Sequence, residues 1–322
     1  RRRTVNRWDL EIWDREEFNR ELDKRTDKIE SVIRTYLPEE RGFQKTVLEA
    51  MNYSILAGGK RLRPMLLLET CRLFGGDESL AEPFMAAIEM IHTYSLVHDD
   101  LPAMDNDEFR RGKQTTHIRY GHAMGILAGD ALLNYAFETM AEAVEIAKRL
   151  SEKEYYSMLE RIFLAQRILA KKSGIYGMVG GQTADVEATE KQESLTPEKL
   201  DFIYRLKTGA LIEGAMMVGA ALAGASSDEL IKIEEIASKV GLAFQIQDDI
   251  LDVTSTAEVL GKPVFSDERN QKTTYVTCRG IDECRRLVEE VSKEALQGLS
   301  ALGGHQNEFL RQLLIWLISR ER

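Results

Sequence analysis

Two short acidic segments carry the residues best suited to chemistry. Each contains three Asp residues: Asp99, Asp100 and Asp105 in the first, and Asp248, Asp249 and Asp252 in the second. Both segments follow an apolar helical pattern, so carboxylates stand where core residues are expected. Such carboxylates are costly unless they are paired or bind a metal. Carboxylates with few other ligands suit Mg²⁺, which keeps waters and bridges to substrate phosphates. We therefore predict a shared Mg²⁺ site in a helical bundle.

The spacing differs between the two segments. Asp248 and Asp252 are four residues apart, which puts them about 40° apart on a helix. Asp99 and Asp105 are six apart and would diverge by about 120° on an ideal helix. They converge only if the chain is interrupted, and Pro102 predicts an interruption at residues 101–104. The alternative to a metal site is that these Asp residues are simply solvated at helix ends. That alternative would explain a single Asp pair, but it is less favoured for two segments that each end an apolar stripe.

Basic residues elsewhere in the sequence are suited to an anionic ligand of that metal. They are Lys60, Arg61 and Arg63 in GGKRLRP, Arg110 and Arg111 after the first segment, Lys207 in RLKTGA, and Lys262 in LGKP. Taken singly, each is more typical of a solvated surface. Together with the acids they predict a diphosphate pocket, because Arg forks and Lys point charges bind phosphate oxygens. No P-loop is present. His98 is interpreted as a hydrogen-bonding or core residue rather than a metal ligand.

The elements that position these residues are predicted to be helices. The 322 residues are 43% hydrophobic and 30% charged, Pro is scarce, and no alternating strand pattern is evident. We predict an all-α fold, a single large bundle of ten or more helices, with residues 16–322 as one domain. Residues 197–223 are predicted to form one helix capped by Thr196, and residues 255–273 a loop or short-helix flap.

Composition also limits partners and location. The net charge of −10 argues against nucleic-acid binding. The sequence contains no run of about 18 uncharged apolar residues, so no integral membrane segment is predicted. Three cysteines without metal-ligand spacing indicate reduced thiols and a cytoplasmic protein. Residues 1–15 form a basic extension, which is interpreted as a cloning remnant or a processed end and not as a secretory signal. Within it, Trp8 and Trp13 are expected to pack a short leading helix onto the body of the protein.

Six motifs resemble a known family and occur in its order. They are GGKRLRP, HDDLPAMDNDEFRRG, GQTADVEA, YRLKTGAL, GLAFQIQDDILD and LGKPVFSDERNQKTTY. Over residues 17–320 the chain is similar to the short-chain trans-isoprenyl diphosphate synthases, and most of all to the bacterial farnesyl diphosphate synthases. The resemblance implies the isoprenoid synthase type of helical bundle around a central cavity, and a homodimer.

The resemblance also implies a role for each matched residue. Three Mg²⁺ ions would be held around an allylic diphosphate by Asp99, Asp100, Asp105, Asp248, Asp249 and Asp252. The same diphosphate would be bound by Arg110, Lys207 and Lys262. Isopentenyl diphosphate would be bound by Lys60, Arg63, His92 and Arg111. The reaction centre would be lined by Thr208 and Gln245. The implied reaction joins isopentenyl diphosphate to dimethylallyl or geranyl diphosphate.

Product length in that family depends on residues just before the first Asp cluster, here Tyr94 and Ser95. Tyr94 lies five residues, about 7.5 Å of helix rise, before Asp99. Its bulk indicates that growth stops at fifteen carbons, in farnesyl diphosphate. If Tyr94 is an ordinary core residue, a twenty-carbon geranylgeranyl product stays open. Phe265 departs from the small residue that is usual in the family after Lys262, and a bulky ring there would alter flap closure or be harmless.

Two further functions are alternatives. A class I terpene cyclase shares the metal chemistry but is expected to lack GGKRLRP and His92, which bind a second diphosphate. A non-catalytic partner subunit is expected to lose one of the Asp clusters. This chain keeps all of these features.

Overall fold

Helices dominate the computed structural model, which describes residues 3–6, 10–260, 273–302 and 305–319. The helices are α1 (Arg15–Thr35), α2 (Lys45–Ile55), α3 (Leu62–Leu73), α4 (Glu78–Asp99), α5 (Thr116–Tyr120), α6 (His122–Leu150), α7 (Tyr155–Ser173), α8 (Met178–Glu190), α9 (Pro197–Ile203), a π-helical turn (Tyr204–Gly209), α10 (Ala210–Leu222), α11 (Ser227–Leu260), α12 (Tyr275–Arg279), α13 (Ile281–Ser300) and α14 (Glu308–Ser319). The strands are β1 (Arg3–Val5), β2 (Glu11–Trp13), β3 (Phe109–Arg110) and β4 (Lys113–Gln114). The predicted all-α class is confirmed.

The chain divides into two compact units. The first unit comprises Asn19–Leu169 and Met217–Ala225, and contains the first acidic segment. The second unit comprises Arg1–Phe18, Ala170–Met216 and Ser226–Arg322, and contains the second acidic segment.

Helix α4 is the central element of the first unit. It packs mainly against α6 and α3. Phe84, Met85, Ile88 and Ile91 are completely buried, because apolar residues occupy nearly every face of this helix. Because α4 is packed on nearly every face, the position of its last residue, Asp99, is fixed by the core of this unit.

Helix α11 has the same role in the second unit, where it packs mainly against α13. Ile233, Ala237 and Val240 of its predicted apolar stripe are buried. A buried ion network lies nearby: Lys172 Nζ donates to Glu213 Oε2 at 2.6 Å and to Glu234 Oε1 at 2.7 Å. Because Glu213 is inaccessible to solvent, this network links α7, α10 and α11 through a charge that must stay paired.

The N-terminal segment forms an antiparallel hairpin, so the predicted leading helix is wrong. Thr4 of β1 pairs with Ile12 of β2. Trp13 is buried as expected, and its backbone N–H donates to Gln312 Oε1 at 2.9 Å on α14. The extended conformation is favoured here because it leaves the N–H of Trp13 and the carbonyl of Glu11 free to bond side chains of α14. Trp8 lies outside the described residues.

Two further boundaries differ from prediction. The segment 197–223 is interrupted by the π-helical turn, although Thr196 caps α9 as predicted, with its Oγ1 accepting from the N–H of Lys199 at 3.2 Å. Helix α11 continues through residues 255–260, where a loop or short-helix flap was predicted to begin, because Ala, Glu and Leu favour the helix. Among the helices described, none is long and apolar enough to cross a membrane.

Candidate functional site

The first acidic segment reverses direction immediately after α4. The N–H of Asp105 donates to the carbonyl of Asp99 at 2.8 Å, and the N–H of Asp107 donates to the carbonyl of Asp100 at 3.1 Å. The predicted interruption at residues 101–104 is therefore present. It brings the backbone of Asp105 back to the end of the helix, which an uninterrupted helix would not do.

Asp100 forms an ion pair with Arg110 of the same chain. It is 3% exposed, and Arg110 donates to it through Nε at 3.1 Å and Nη2 at 2.8 Å. The hydrogen bonds to Asp100 raise the pKa of Arg110. Arg110 is presented by the β3–β4 hairpin, whose tight turn puts Arg111 and Gly112 at positive φ. The metal-ligand role implied for Asp100 stays a prediction.

The GGKRLRP segment presents its cations in different directions. Arg63 Nη1 lies 3.4 Å from His92 Nε2 on α4. Arg111 donates to the carbonyl of Gly58, and the neighbouring Gly59 has a φ of 139°, a backbone conformation that favours glycine. Lys60 is exposed. Three of the four residues implied for isopentenyl diphosphate, Arg63, His92 and Arg111, thus lie in one region of the first unit.

Arg61 has a different environment from the neighbouring cations. It is buried in a left-handed conformation, φ 50°, where it begins α3. Its guanidinium donates to Glu30 Oε1 at 2.5 Å, Glu89 Oε1 at 2.9 Å and the carbonyl of Ile55 at 2.7 Å. Since its donors are used inside the protein, Arg61 supports the segment rather than presenting charge to a ligand.

A cleft in this region is lined by ionisable residues that include Glu89, His92, Asp100, Arg110 and Arg111. Burial, together with the neighbouring arginines, holds the pKa of His92 well below its usual range. Burial also lowers the pKa values of Arg63 and Arg111, which Glu89 partly opposes. A neutral imidazole beside several guanidinium groups is an environment in which an anion would be stabilised.

The residues proposed to control product length lie on the same helix. Tyr94 is 7% exposed, and its ring contacts that of His98 edge-on at 5.7 Å between centroids. Ser95 Oγ donates to the carbonyl of His92 at 2.6 Å. His98 Nε2 lies 3.0 Å from the carbonyl oxygen of Ile126 on α6, which agrees with the hydrogen-bonding role predicted for it.

The second acidic segment lies on α11. Asp248 is half-buried and Asp252 is exposed, whereas Asp249 is 7% exposed. Asp249 Oδ2 accepts from Tyr204 Oη at 2.6 Å and from the N–H of Tyr275 at 3.2 Å. Burial raises the pKa of Asp249 to about 6. Asp249 therefore lies among protein donors, and its implied metal-ligand role stays a prediction.

The π-helical turn carries Lys207 and Thr208. Lys207 Nζ donates to Asp185 Oδ2 at 2.6 Å on α8. A Cβ on Gly181 would stand 2.3 Å from the backbone N of Lys207, so this glycine permits the close approach of α8. Gly181 and Asp185 both belong to the GQTADVEA motif, but neither was predicted as a site residue. The spacing of small residues beside Asp185 was the available signal.

The donor set fits Mg²⁺ better than a softer metal, because every implied ligand is a carboxylate. Among the described residues, no group of three or more His, Cys, Asp or Glu side chains is arranged to enclose a metal ion. Mg²⁺ is compatible with this, since it retains waters and takes substrate oxygens instead of an all-protein cage. Lys262 and Phe265 lie outside the described residues.

Comparison with known proteins identifies the family. The family model described as polyprenyl synthetase matches residues 44–303. A farnesyl diphosphate synthase of Geobacillus stearothermophilus is 45% identical over 254 residues, 79% of this chain and 82% of that protein. A geranylgeranyl diphosphate synthase of Cyanophora paradoxa is 44% identical over 279 residues, 85% of this chain and 89% of that protein.

Among solved structures, the apo structure of an FPP/GFPP synthase from Zymomonas mobilis matches with a TM-score of 0.79 and 31% identity. The match covers 94% of this chain and 99% of the Zymomonas mobilis chain. The predicted isoprenoid synthase type of fold is thereby confirmed. Because motifs, family match and fold agree over most of its length, the chain belongs to the polyprenyl synthetase family and is a prenyltransferase.

Proposed function

We propose that the protein condenses isopentenyl diphosphate with dimethylallyl or geranyl diphosphate, in the presence of Mg²⁺, to make farnesyl diphosphate. The observation that carries the proposal is the cleft beside α4, which is lined by Arg111 and a neutral His92. Arg63 Nη1 lies 3.4 Å from His92 Nε2. Fixed guanidinium groups of this kind suit a diphosphate, which offers several oxygens to Arg forks. A site for isopentenyl diphosphate is what separates chain elongation from cyclisation.

Asp99, Asp105, Asp248 and Asp252 are the residues we expect to hold Mg²⁺, with Asp100 and Asp249 beside them. When bound, the metal stabilises negative charge on the departing diphosphate. Arg110, Lys207 and Lys262 would bind the same leaving group, with Lys207 exchanging Asp185 for a diphosphate oxygen.

The reaction breaks the C–O bond of the allylic diphosphate, so that an allylic cation forms. The double bond of isopentenyl diphosphate attacks this cation and makes the new C–C bond. The attack leaves the positive charge on the isopentenyl unit, which loses a proton to form the double bond of the product, and the released diphosphate is the base we propose for this proton. Thr208 and Gln245 are expected to line the reaction centre, where exclusion of water protects the cation.

The proposed product length rests on Tyr94. Its ring is buried on α4, five residues before Asp99, at the position that the resemblance to the family implies for the residue that limits chain growth. Relatives named as farnesyl and as geranylgeranyl diphosphate synthases are about equally similar, at 45% and 44% identity. Geranylgeranyl diphosphate is accordingly the second candidate product.

We also propose that the protein acts as a homodimer. Helix α6, which packs against α4, has Ile126 and Leu127 each 48% exposed. Adjacent exposed apolar residues beside the acidic helix are suited to a second copy of this chain. The single domain of residues 16–322 and the cytoplasmic location stay predictions. The cysteines of the described residues, which are all free, favour that location.

The test is a product assay with purified protein, Mg²⁺, labelled isopentenyl diphosphate and each allylic starter, followed by dephosphorylation and sizing. A fifteen-carbon alcohol that is lost with EDTA supports the whole proposal. A twenty-carbon alcohol keeps the reaction and overturns the product. Absence of elongation by folded protein, with every starter, overturns the reaction itself.

A further inference from the structure

We propose that Tyr204 and Asp249 are a positioning pair that fixes the π-helical turn bearing Lys207 and Thr208 on α11, and that Asp249 serves this pair rather than binding metal directly. The proposal deepens the proposed function, on which it rests for the role of Lys207. Every residue in it belongs to the second unit.

The contacts converge on one oxygen atom. Asp249 Oδ2 accepts a hydrogen bond from Tyr204 Oη at 2.6 Å and another from the N–H of Tyr275 at 3.2 Å. The two Tyr rings also pack against each other, 5.0 Å apart between centroids. The π-helical turn, α11 and α12 therefore meet at a single buried carboxylate.

The turn is a segment that needs such support. A π-helix is a rare conformation that commonly marks a functional position within a helix. Here it begins at Tyr204 and contains Lys207 and Thr208. Asp185 holds the Lys207 side chain and Gly181 allows α8 to approach the backbone. Tyr204 joins this turn to the acidic helix by a side-chain hydrogen bond, so it helps to set how far Lys207 stands from Asp248 and Asp252.

The hydrogen bonding of Asp249 engages one of its two carboxylate oxygens, Oδ2, with the protein. A carboxylate oxygen that accepts from a hydroxyl and an amide has its lone pairs directed at the protein. Asp249 is also buried, whereas its neighbours Asp248 and Asp252 are more accessible to solvent. Because all three residues share one helix, fixing Asp249 fixes the orientation of the other two.

The first experiment compares Tyr204→Phe with Tyr275→Phe. Tyr204→Phe removes the donor and keeps the ring, whereas Tyr275→Phe keeps the backbone N–H that donates to Asp249, so the second variant is a matched control. In Tyr204→Phe, amide hydrogen exchange of residues 204–209 in metal-free protein should accelerate about tenfold, the effect of one hydrogen bond to a charged group.

In the same variant, kcat/KM for the allylic diphosphate should fall about tenfold, with KM for isopentenyl diphosphate unchanged. Tyr275→Phe should stay within about twofold on both measures. Wild-type exchange of residues 204–209 in Tyr204→Phe would overturn the pair whether or not the protein elongates prenyl chains. Because this exchange needs no substrate, failure of the pair is distinguishable from failure of the proposed function.

The second experiment measures Mn²⁺ binding by electron paramagnetic resonance in the presence of inorganic diphosphate. Asp249→Asn keeps an acceptor oxygen for Tyr204, and it should leave the Mn²⁺ affinity within about threefold of wild type, whereas Asp248→Asn should lower it more than about tenfold. Equal losses in the two variants would identify Asp249 as a ligand and overturn its assignment to positioning.

Discussion

The N–H of Asp105 lies 2.8 Å from the carbonyl oxygen of Asp99 and donates a hydrogen bond to it. Two acids that are six residues apart are thus brought together by the backbone itself. The N–H groups of Met104 and Asn106 reinforce the reversal by donating to the carbonyl of Leu101 at 2.9 and 3.1 Å. The acidic motif therefore depends on the length of the turn as well as on its Asp residues.

Insertion of one Ala between Ala103 and Met104 should reduce activity more than about a hundredfold, because misplacement of a catalytic group by about 1 Å can have that effect. The melting temperature should change by no more than about 4 °C, since the turn is exposed and contributes little to the core. Steady-state elongation and thermal unfolding measure the two effects.

The control is an Ala inserted after Gln192, in the exposed loop between α8 and α9. This variant should keep wild-type activity and stability, because loop insertions are tolerated where no buried contact is disturbed. If the turn insertion were equally harmless, the link between turn length and the acidic motif would be wrong.

Arg110→Lys should lower the free energy of unfolding by about 1.5–3 kcal/mol, because a lysine cannot reproduce the fork that holds the buried Asp100 carboxylate. Urea unfolding at neutral pH measures the change. Arg286→Lys is the matched control: Nη2 of this exposed arginine donates to both carboxylate oxygens of Glu283 at 2.8 Å, and the substitution should leave the urea midpoint close to that of wild type. Equal effects would mean that burial of Asp100 does not matter to the pair.

The depressed pKa of His92 predicts a pH-dependent stability. Because burial disfavours the protonated imidazole, the folded state binds fewer protons at this residue than the unfolded chain, where His titrates near pH 6.5. The stability from His92 is therefore present above about pH 6.5 and lost below it, by at most about 1.4 kcal/mol per pH unit.

His92→Asn should remove this dependence, so the difference in unfolding free energy between wild type and variant should shrink as the pH falls from about 7.5 to about 5.5. Urea titrations at each pH provide the comparison, and the variant cancels contributions from the four other His residues. Parallel pH curves for the two proteins would show that His92 has an ordinary pKa.

Helices with a sustained apolar stripe were predictable from sequence, because burial of one face determines both the pattern and the element. The break after Asp99 was predictable for a local reason, since Pro102 disfavours continuation of the helix. The acidic segments were recognisable because carboxylates interrupt an apolar pattern.

Hydrogen-bond partners that are distant in the sequence were not predictable. Spacing indicates which residues share a helix face, but it does not indicate that Tyr204 bonds Asp249, 45 residues later, or that Gln312 receives the N–H of Trp13. The π-helical turn was also missed, because the shift in backbone hydrogen bonding leaves the apolar pattern of residues 197–223 unchanged. Such features are set by packing between segments.

Tyr94→Ala should lengthen the product beyond that of wild type, because truncation of this buried ring opens space along α4 beneath Asp99. Sizing of the dephosphorylated alcohols measures the change. Thr93→Ala is a neighbouring control on a different side of the helix and should keep the wild-type product length. An unchanged product from Tyr94→Ala, with activity retained, would mean that Tyr94 is ordinary core.

The most direct test of the account is elongation by Asp99→Ala and Asp248→Ala beside wild type at saturating Mg²⁺. If both acidic segments support the reaction, each variant should lose at least about a thousandfold in kcat, since each removes a carboxylate that stabilises the departing charge through the metal. Thermal unfolding should stay close to wild type, because neither side chain belongs to the buried core. Retention of activity within about tenfold in either variant would contradict the role assigned to that segment.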